Sequence, residues 1–163
     1  LWSGYNNTTS QKVIQFVQQQ LAQVGVKVQV QALESGESVS KVESAQDPAS
    51  APVRMFYIGW SSSTGEANWA LTPLLASTSA PPKLVNTAYY KSDAVDSDLA
   101  KALETTDRAK KIDLYTDAQK QIWADAPWIF LVQEKIVYAR SKRLQGMYVM
   151  PDGSFNFDEI SLK

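Results

Sequence analysis

The sequence predicts an α/β fold in one domain, with a mixed central sheet flanked by helices. Two observations carry that expectation. Near the start, a short apolar segment, a helical repeat and an alternating segment follow one another, the order of a parallel crossover unit. The chain also has 163 residues, of which 44% are apolar and 20% charged. That length and balance suit a single globular domain able to bury its own core.

Leu1 to Tyr5 reads as a short strand. Asn6 to Ser10 is a cluster of turn and N-cap residues. Val13, Ile14, Val17, Leu21 and Val24 then recur at helical spacing, and Gly25 is placed to end that helix. Val26, Val28 and Val30 alternate with polar residues, predicting a half-buried strand over 26–31. A weaker helix is expected from Glu37 to Ala45, with a surface loop from Asp47 to Pro52. Val53 to Trp60 is dense in apolar and aromatic side chains, as a central strand would be. Gly59 to Glu66 leaves it as a polar loop. Ala67 to Ala76 is predicted helical, packing through Trp69, Leu71, Leu74 and Leu75. Ser77 to Thr87, with Pro81-Pro82, reads as loop. Ser92 caps a helix reaching Glu104 through Val95, Leu99 and Leu103. Thr106-Asp107-Arg108 opens a longer helix with Ala109, Ile112, Tyr115, Ala118 and Ile122 on one face, and Pro127 closes it. Trp128 to Ala139 reads as a strand through Ile129, Leu131, Ile136 and Tyr138. Met147 to Lys163 reads as short strands around a Pro151-Asp152-Gly153 turn.

Composition removes several classes of function. Sixteen basic against 17 acidic residues give a net charge of -1. A sequence-independent grip on nucleic acid or an anionic membrane surface needs a basic excess, so neither is a partner. Cys and His both number 0, which removes disulfides, thiolate nucleophiles, Ser-His-Asp triads and His-ligated metals. No metal site and no cofactor are expected. No apolar run approaches the ~20 residues of a membrane span. The first residue is Leu1 and no signal peptide is seen. These features lead us to expect a piece of a longer protein.

Two loops are candidates for binding. Gly59-Trp60-Ser61-Ser62-Ser63-Thr64-Gly65-Glu66 directly follows an apolar strand. In open α/β sheets, ligands sit outside the carboxyl ends of strands. Backbone amides, hydroxyls and the Trp60 ring there would suit a small polar ligand. Alternatively, Trp60 is core and the serines are a solvated connection. Asn6 to Ser10 opens a helix, whose unpaired amides favour anions. Simple capping would need just one of these residues. Enzyme readings fare badly. The serines have no His base and no Ser-x-x-Lys partner. Nothing places Glu66 beside Asp152 as a glycosidase pair, and no phosphate-loop or dinucleotide glycine spacing is present. Asp93, Asp96 and Asp98 lack the closing Glu of a calcium loop and read as a helix start.

Three stretches together carry a resemblance. "YNNTTSQKVIQFVQQQLAQVGVKVQV", "RMFYIGW" with its polar loop, and "NTAYYKSDAVDSDLAKALETTDRAKKIDLYTDAQKQIWADAPWIFL" resemble the second lobe of the family 5 solute-binding proteins of ABC importers. The resemblance covers nearly the whole chain. It implies that residues 1–163 form one lobe of a type II periplasmic-binding-protein fold, the C-terminal ligand-binding lobe, with the N-terminal lobe absent from this sequence. It further implies a periplasmic receptor that delivers a small peptide to an ABC permease in the inner membrane and does no chemistry. By the same resemblance Tyr57 points into the cleft, Gly59 and Ser61 offer backbone groups, Trp60 flanks the ligand, and Ser63 and Thr64 complete the loop. Tyr5, Asn6 and Gln11 face the ligand's far end. Peptide-binding relatives carry an Asp at the position of Ser63, for a free α-amine, and a cation near Gln11. Those departures argue against ordinary dipeptides and fit a γ-linked peptide such as glutathione. Ordinary di- or oligopeptides and nickel are the alternatives within the family, and a hydrolase domain is the alternative outside it.

Overall fold

The computed structural model describes residues 1–133, 135, 137–150 and 152–163. Three parallel strands form the sheet that positions the site: β1 (Trp2–Ser3), β2 (Gln31–Ala32) and β3 (Phe56–Tyr57), in the order β2-β1-β3. The register pairs Trp2 with both Gln31 and Phe56. α1 (Thr8–Gln23) crosses from β1 to β2, and α2 (Ser35–Glu43) lies between β2 and β3 in sequence. This is the predicted crossover unit.

Local chemistry explains the boundaries. Asn7 Oδ1 accepts from the Ser10 amide at 2.9 Å, capping α1. At its other end Gly25 takes φ 82°, its N–H donates to the Ala22 carbonyl, and the Val26 N–H reaches back to that of Leu21. These two bonds make a Schellman motif, whose left-handed position favours glycine. The strand expected over 26–31 is shorter and later. Val26 is exposed and the ladder covers Gln31–Ala32, because the register with Trp2 leaves residues 26–28 beyond the reach of β1.

A second body is helical. α3 (Ala67–Leu75), a 3-10 turn at Ser77–Ser79, α4 (Asp93–Glu104) and α5 (Arg108–Asp125) enclose the main core. Leu74, Leu75, Val95, Leu99, Ala102, Tyr115, Ala118 and Ile122 are all buried in it. Residues 95, 99 and 102 of α4, spaced i, i+4, i+7, meet 115, 118 and 122 of α5, spaced i, i+3, i+7. Three residues expected on those faces are exposed instead: Leu103, Ala109 and Ile112. Asp107 caps α5 by accepting from the Ala109 and Lys110 amides. Ala126 turns left-handed before Pro127. Asn86 is fully buried, and its side chain bonds the backbone of Ala76 and Tyr90, which pins the loop before α4.

The tail departs from expectation. The described residues of 128–139 form no strand, and Ile136 lies outside the described residues. A strand needs a neighbour to take its backbone bonds, and no ladder among the described residues includes this stretch. Instead β4 (Leu144–Gln145) pairs antiparallel with β7 (Ser161–Leu162), and β5 (Tyr148–Val149) with β6 (Phe155–Asn156). The β5–β6 turn carries Gly153 at φ 87°, with Pro151 outside the described residues. At Gly146 a Cβ would stand 1.9 Å from the Glu159 carbonyl oxygen, so only glycine fits the start of this fold-back. Parallel and antiparallel pairings therefore occur in separate sheets.

Candidate functional site

The strand order defines where a ligand can sit. From β1 the chain crosses to β2 on one side, then returns to place β3 on the other. The crevice at such a switch point opens at the carboxyl ends of the two strands that flank it, here β1 and β3. Both candidate loops leave from those ends: Tyr5–Asn7 after β1, and Gly59–Glu66 after β3.

Tyr5 joins the two loops. Its backbone is fixed first: the buried Ser3 Oγ donates to the Tyr5 carbonyl at 2.7 Å and accepts from the Tyr5 N–H at 3.0 Å. Its hydroxyl then accepts from the Gly59 N–H at 2.9 Å, with a longer contact of 3.4 Å to the Gly59 carbonyl. Its ring meets that of Tyr57 edge-on, centroids 6.0 Å apart. Three expected site residues, Tyr5, Tyr57 and Gly59, are thus brought together.

Trp60 turns the other way. Its indole Nε1–H donates to the Trp69 carbonyl in α3 at 3.2 Å. That carbonyl is open because its helical donor would be residue 73, and Pro73 has no N–H. The residue remains 43% exposed, so Trp60 is not core.

The rest of the loop divides by alternate residues. Ser62 Oγ donates to the Glu66 carbonyl at 2.9 Å, and Thr64 Oγ1 accepts from the Glu66 N–H at 3.2 Å. Gly65, at φ 72°, sends its N–H to the Ser62 carbonyl. Ser62 and Thr64 therefore hold the loop's shape. Ser61 and Ser63 are exposed, and their hydroxyls bond no described residue. At the other loop, Asn6 and Gln11 meet each other, Gln11 Nε2 donating to Asn6 Oδ1 at 2.9 Å.

The contacts described are made by hydroxyls, backbone amides and carbonyls, and aromatic rings. Among the described residues no cluster of three or more His, Cys, Asp or Glu side chains could hold a metal ion. This arrangement can bind a polar molecule, and it presents no nucleophile–base pair. Sequence reasoning missed Ser3 and Pro73. Ser3 carries no distinctive signal. Pro73 did: a proline inside a helical pattern always leaves the carbonyl four residues earlier without its helical donor.

Comparison with known proteins meets this geometry. No family model matches the chain. Across the solved structures, the fold is that of the periplasmic binding proteins. A clavulanic acid biosynthesis oligopeptide-binding protein superposes with a TM-score of 0.84 at 18% identity, over 99% of this chain and 30% of its own. The Helicobacter pylori periplasmic binding protein DppA, solved with the peptide STSA, gives a TM-score of 0.64 at 27% identity, over 77% of this chain and 23% of its own. The chain is a homologue of one segment of the family 5 solute-binding proteins. More particularly, it is 59% identical over 162 residues to the glutathione-binding protein GsiB of Pectobacterium atrosepticum, and 54% identical over 163 residues to that of Escherichia coli. It spans 31% and 32% of their lengths, about a third of each. These homologues are binding proteins, not enzymes.

Proposed function

We propose that this chain is the C-terminal lobe of the periplasmic substrate-binding component of an ABC importer. The whole receptor holds glutathione, or a similar small peptide, between this lobe and an N-terminal lobe outside the sequence given. It then hands the ligand to a permease in the inner membrane. One observation carries the reading: a chain 59% identical to a glutathione-binding protein holds Tyr5 against Gly59 and Tyr57 at the carboxyl ends of β1 and β3, and the loop that follows has Ser61 and Ser63 hydroxyls that bond no described residue. Hydroxyls suit carboxylate oxygens, and glutathione carries two carboxylates. Ser63 accepts from an ammonium but cannot neutralise one. In glutathione the amine stands beside its own carboxylate, so that demand is smaller. The exposed apolar tail supports a larger body, since Ile129, Val132, Val137 and Leu162 expose more than two thirds of their surface.

The test is calorimetry on the longer protein with reduced glutathione, oxidised glutathione, Ala-Ala and nickel. Glutathione should bind and the others weakly or not at all. Ser63→Asp should weaken glutathione by about tenfold or more, because a like charge beside its carboxylates costs of order 1–2 kcal/mol. Tight binding of Ala-Ala or nickel without glutathione would overturn the ligand. An unchanged glutathione affinity in Ser63→Asp would remove Ser63 from the site.

A further inference from the structure

We propose that the Gly59–Trp60 turn is set before any ligand arrives, by two residues that act on it from opposite sides: Tyr5 occupies the Gly59 amide, and Pro73 leaves free the Trp69 carbonyl that holds the Trp60 indole. Both are positioning residues. The proposal deepens the reading of this crevice as the ligand site.

Each side rests on its own geometry. The Gly59 N–H has one acceptor, Tyr5 Oη at 2.9 Å, supplied across the crevice from a residue 54 positions away. Tyr5 cannot drift, because the buried Ser3 Oγ holds its carbonyl and its amide together. A larger residue at position 59 would also press on the Tyr5 hydroxyl. A Cβ built there would stand 3.0 Å from Tyr5 Oη, tighter than ordinary contact, so glycine at 59 and tyrosine at 5 fit as a pair. On the far side, Trp60 turns onto α3 and its Nε1–H finds the Trp69 carbonyl at 3.2 Å. In an uninterrupted helix the N–H of residue 73 would occupy that oxygen. Pro73 lacks the N–H, and the indole takes the vacated place.

The consequence is a division of labour within one loop. The Gly59 amide and the Trp60 indole are spent on the protein's own frame. Ser62 and Thr64 are spent on the Glu66 backbone. Ser61 and Ser63 are left for a ligand. A turn held in this way pays its ordering entropy during folding, so binding does not have to.

Hydrogen exchange on the unliganded chain tests the frame, separately from any ligand. In Tyr5→Phe the Gly59 amide should exchange about fivefold faster, the loss of one ordinary hydrogen bond, while the Trp60 indole N–H keeps its rate. In Pro73→Ala the new N–H competes for the Trp69 carbonyl. The Trp60 indole should then exchange severalfold faster and the Gly59 amide should not change. Amides of α4 and α5 report global stability in every sample. An unchanged Gly59 rate in Tyr5→Phe overturns the first half, and an unchanged Trp60 rate in Pro73→Ala overturns the second. Pro73→Ala restores a helix donor, so that arm reads out even if Tyr5→Phe does not fold. Failure of glutathione to bind would instead count against the proposed function and leave these rates as they are.

Discussion

Residues 1–126 and residues 127–163 use similar side chains to opposite effect. In the first region apolar residues find one another: Val95 and Ala102 of α4 are 0% exposed against Ala118 of α5 at 0%. In the second, no described residue is buried, although Ile129, Phe130, Leu131, Val132, Phe155, Phe157, Ile160 and Leu162 are as apolar as any in the core. The difference is one of partners. α4 and α5 present two stripes of matching period, so each removes the other from water. Among the described residues the tail forms two short ladders whose strands pair within the tail, and a two-stranded ladder has no second layer to cover it. Its aromatics therefore stay largely at the surface: Phe130 stacks on Trp123 of α5 at 5.7 Å, Phe155 lies 6.0 Å from Phe157, and Trp128 packs half-buried against the helical core. Hydrophobicity alone does not make a core, because a second surface must be present.

The strongest way to test this contrast is to cut into the first region. Leu99 is 2% exposed between α4 and α5. Leu99→Ala should lower the free energy of unfolding by about 2–5 kcal/mol, through lost transfer energy and the cavity left behind. Urea melts followed by circular dichroism measure it. A loss under about 1 kcal/mol would mean that the helical body is not the stabilising unit.

That same contrast explains what was legible in the sequence. The helices were, because a 3.6-residue period is written locally and closed by local chemistry: Asn7, Ser92 and Asp107 all cap as their positions suggest. The crevice was legible in outline, since a polar loop after an apolar strand marks a strand's carboxyl end. The strands were not, because pairing is written in the neighbour. Val26 to Val30 alternates as a strand should, yet only Gln31–Ala32 find β1. Trp128 to Ala139 reads as a strand and its described residues make none. The division between framing and free hydroxyls in the loop was hidden as well. It depends on which oxygen of Glu66 or Trp69 lies within reach, and no spacing rule encodes that.

A smaller effect separates the regions by pH. Burial raises the phenol pKa of Tyr115 and of Tyr89, and burial with the Asp125 hydrogen bond raises that of Tyr90. All three belong to the first region. A group whose pKa is raised on folding stabilises the fold fully while pH stays below its unfolded value, about 10 for tyrosine. That contribution is lost as pH climbs from there through the folded value. Unfolding free energy should therefore be flat with respect to these groups up to about pH 9.5 and fall above pH 10. Tyr90→Phe should make the alkaline fall shallower. An unchanged slope in that variant would show that its phenol titrates alike in both states.

The smallest effect expected is in the tail, and it is the most discriminating. Val137 is 92% exposed and Ile129 82%. Replacing either with Ser removes little surface from any contact, because the side chain already stands in water. The free energy of unfolding should change by no more than about 0.5 kcal/mol, the usual range for an exposed site. Association should respond more than stability does. Exposed apolar side chains seek a second surface, and each Ser removes one of them. The double variant Ile129→Ser/Val137→Ser should therefore scatter less light than the parent chain at high concentration, with the same melting curve at low concentration. The two measurements together decide the point. A loss above 1 kcal/mol at low concentration would show the tail packed against the helical body in solution, and the two regions would then be one. An unchanged melt with unchanged scattering would show that this apolar face does not drive association, and the search for its partner surface would have to move to the aromatic clusters around Trp123 and Phe155.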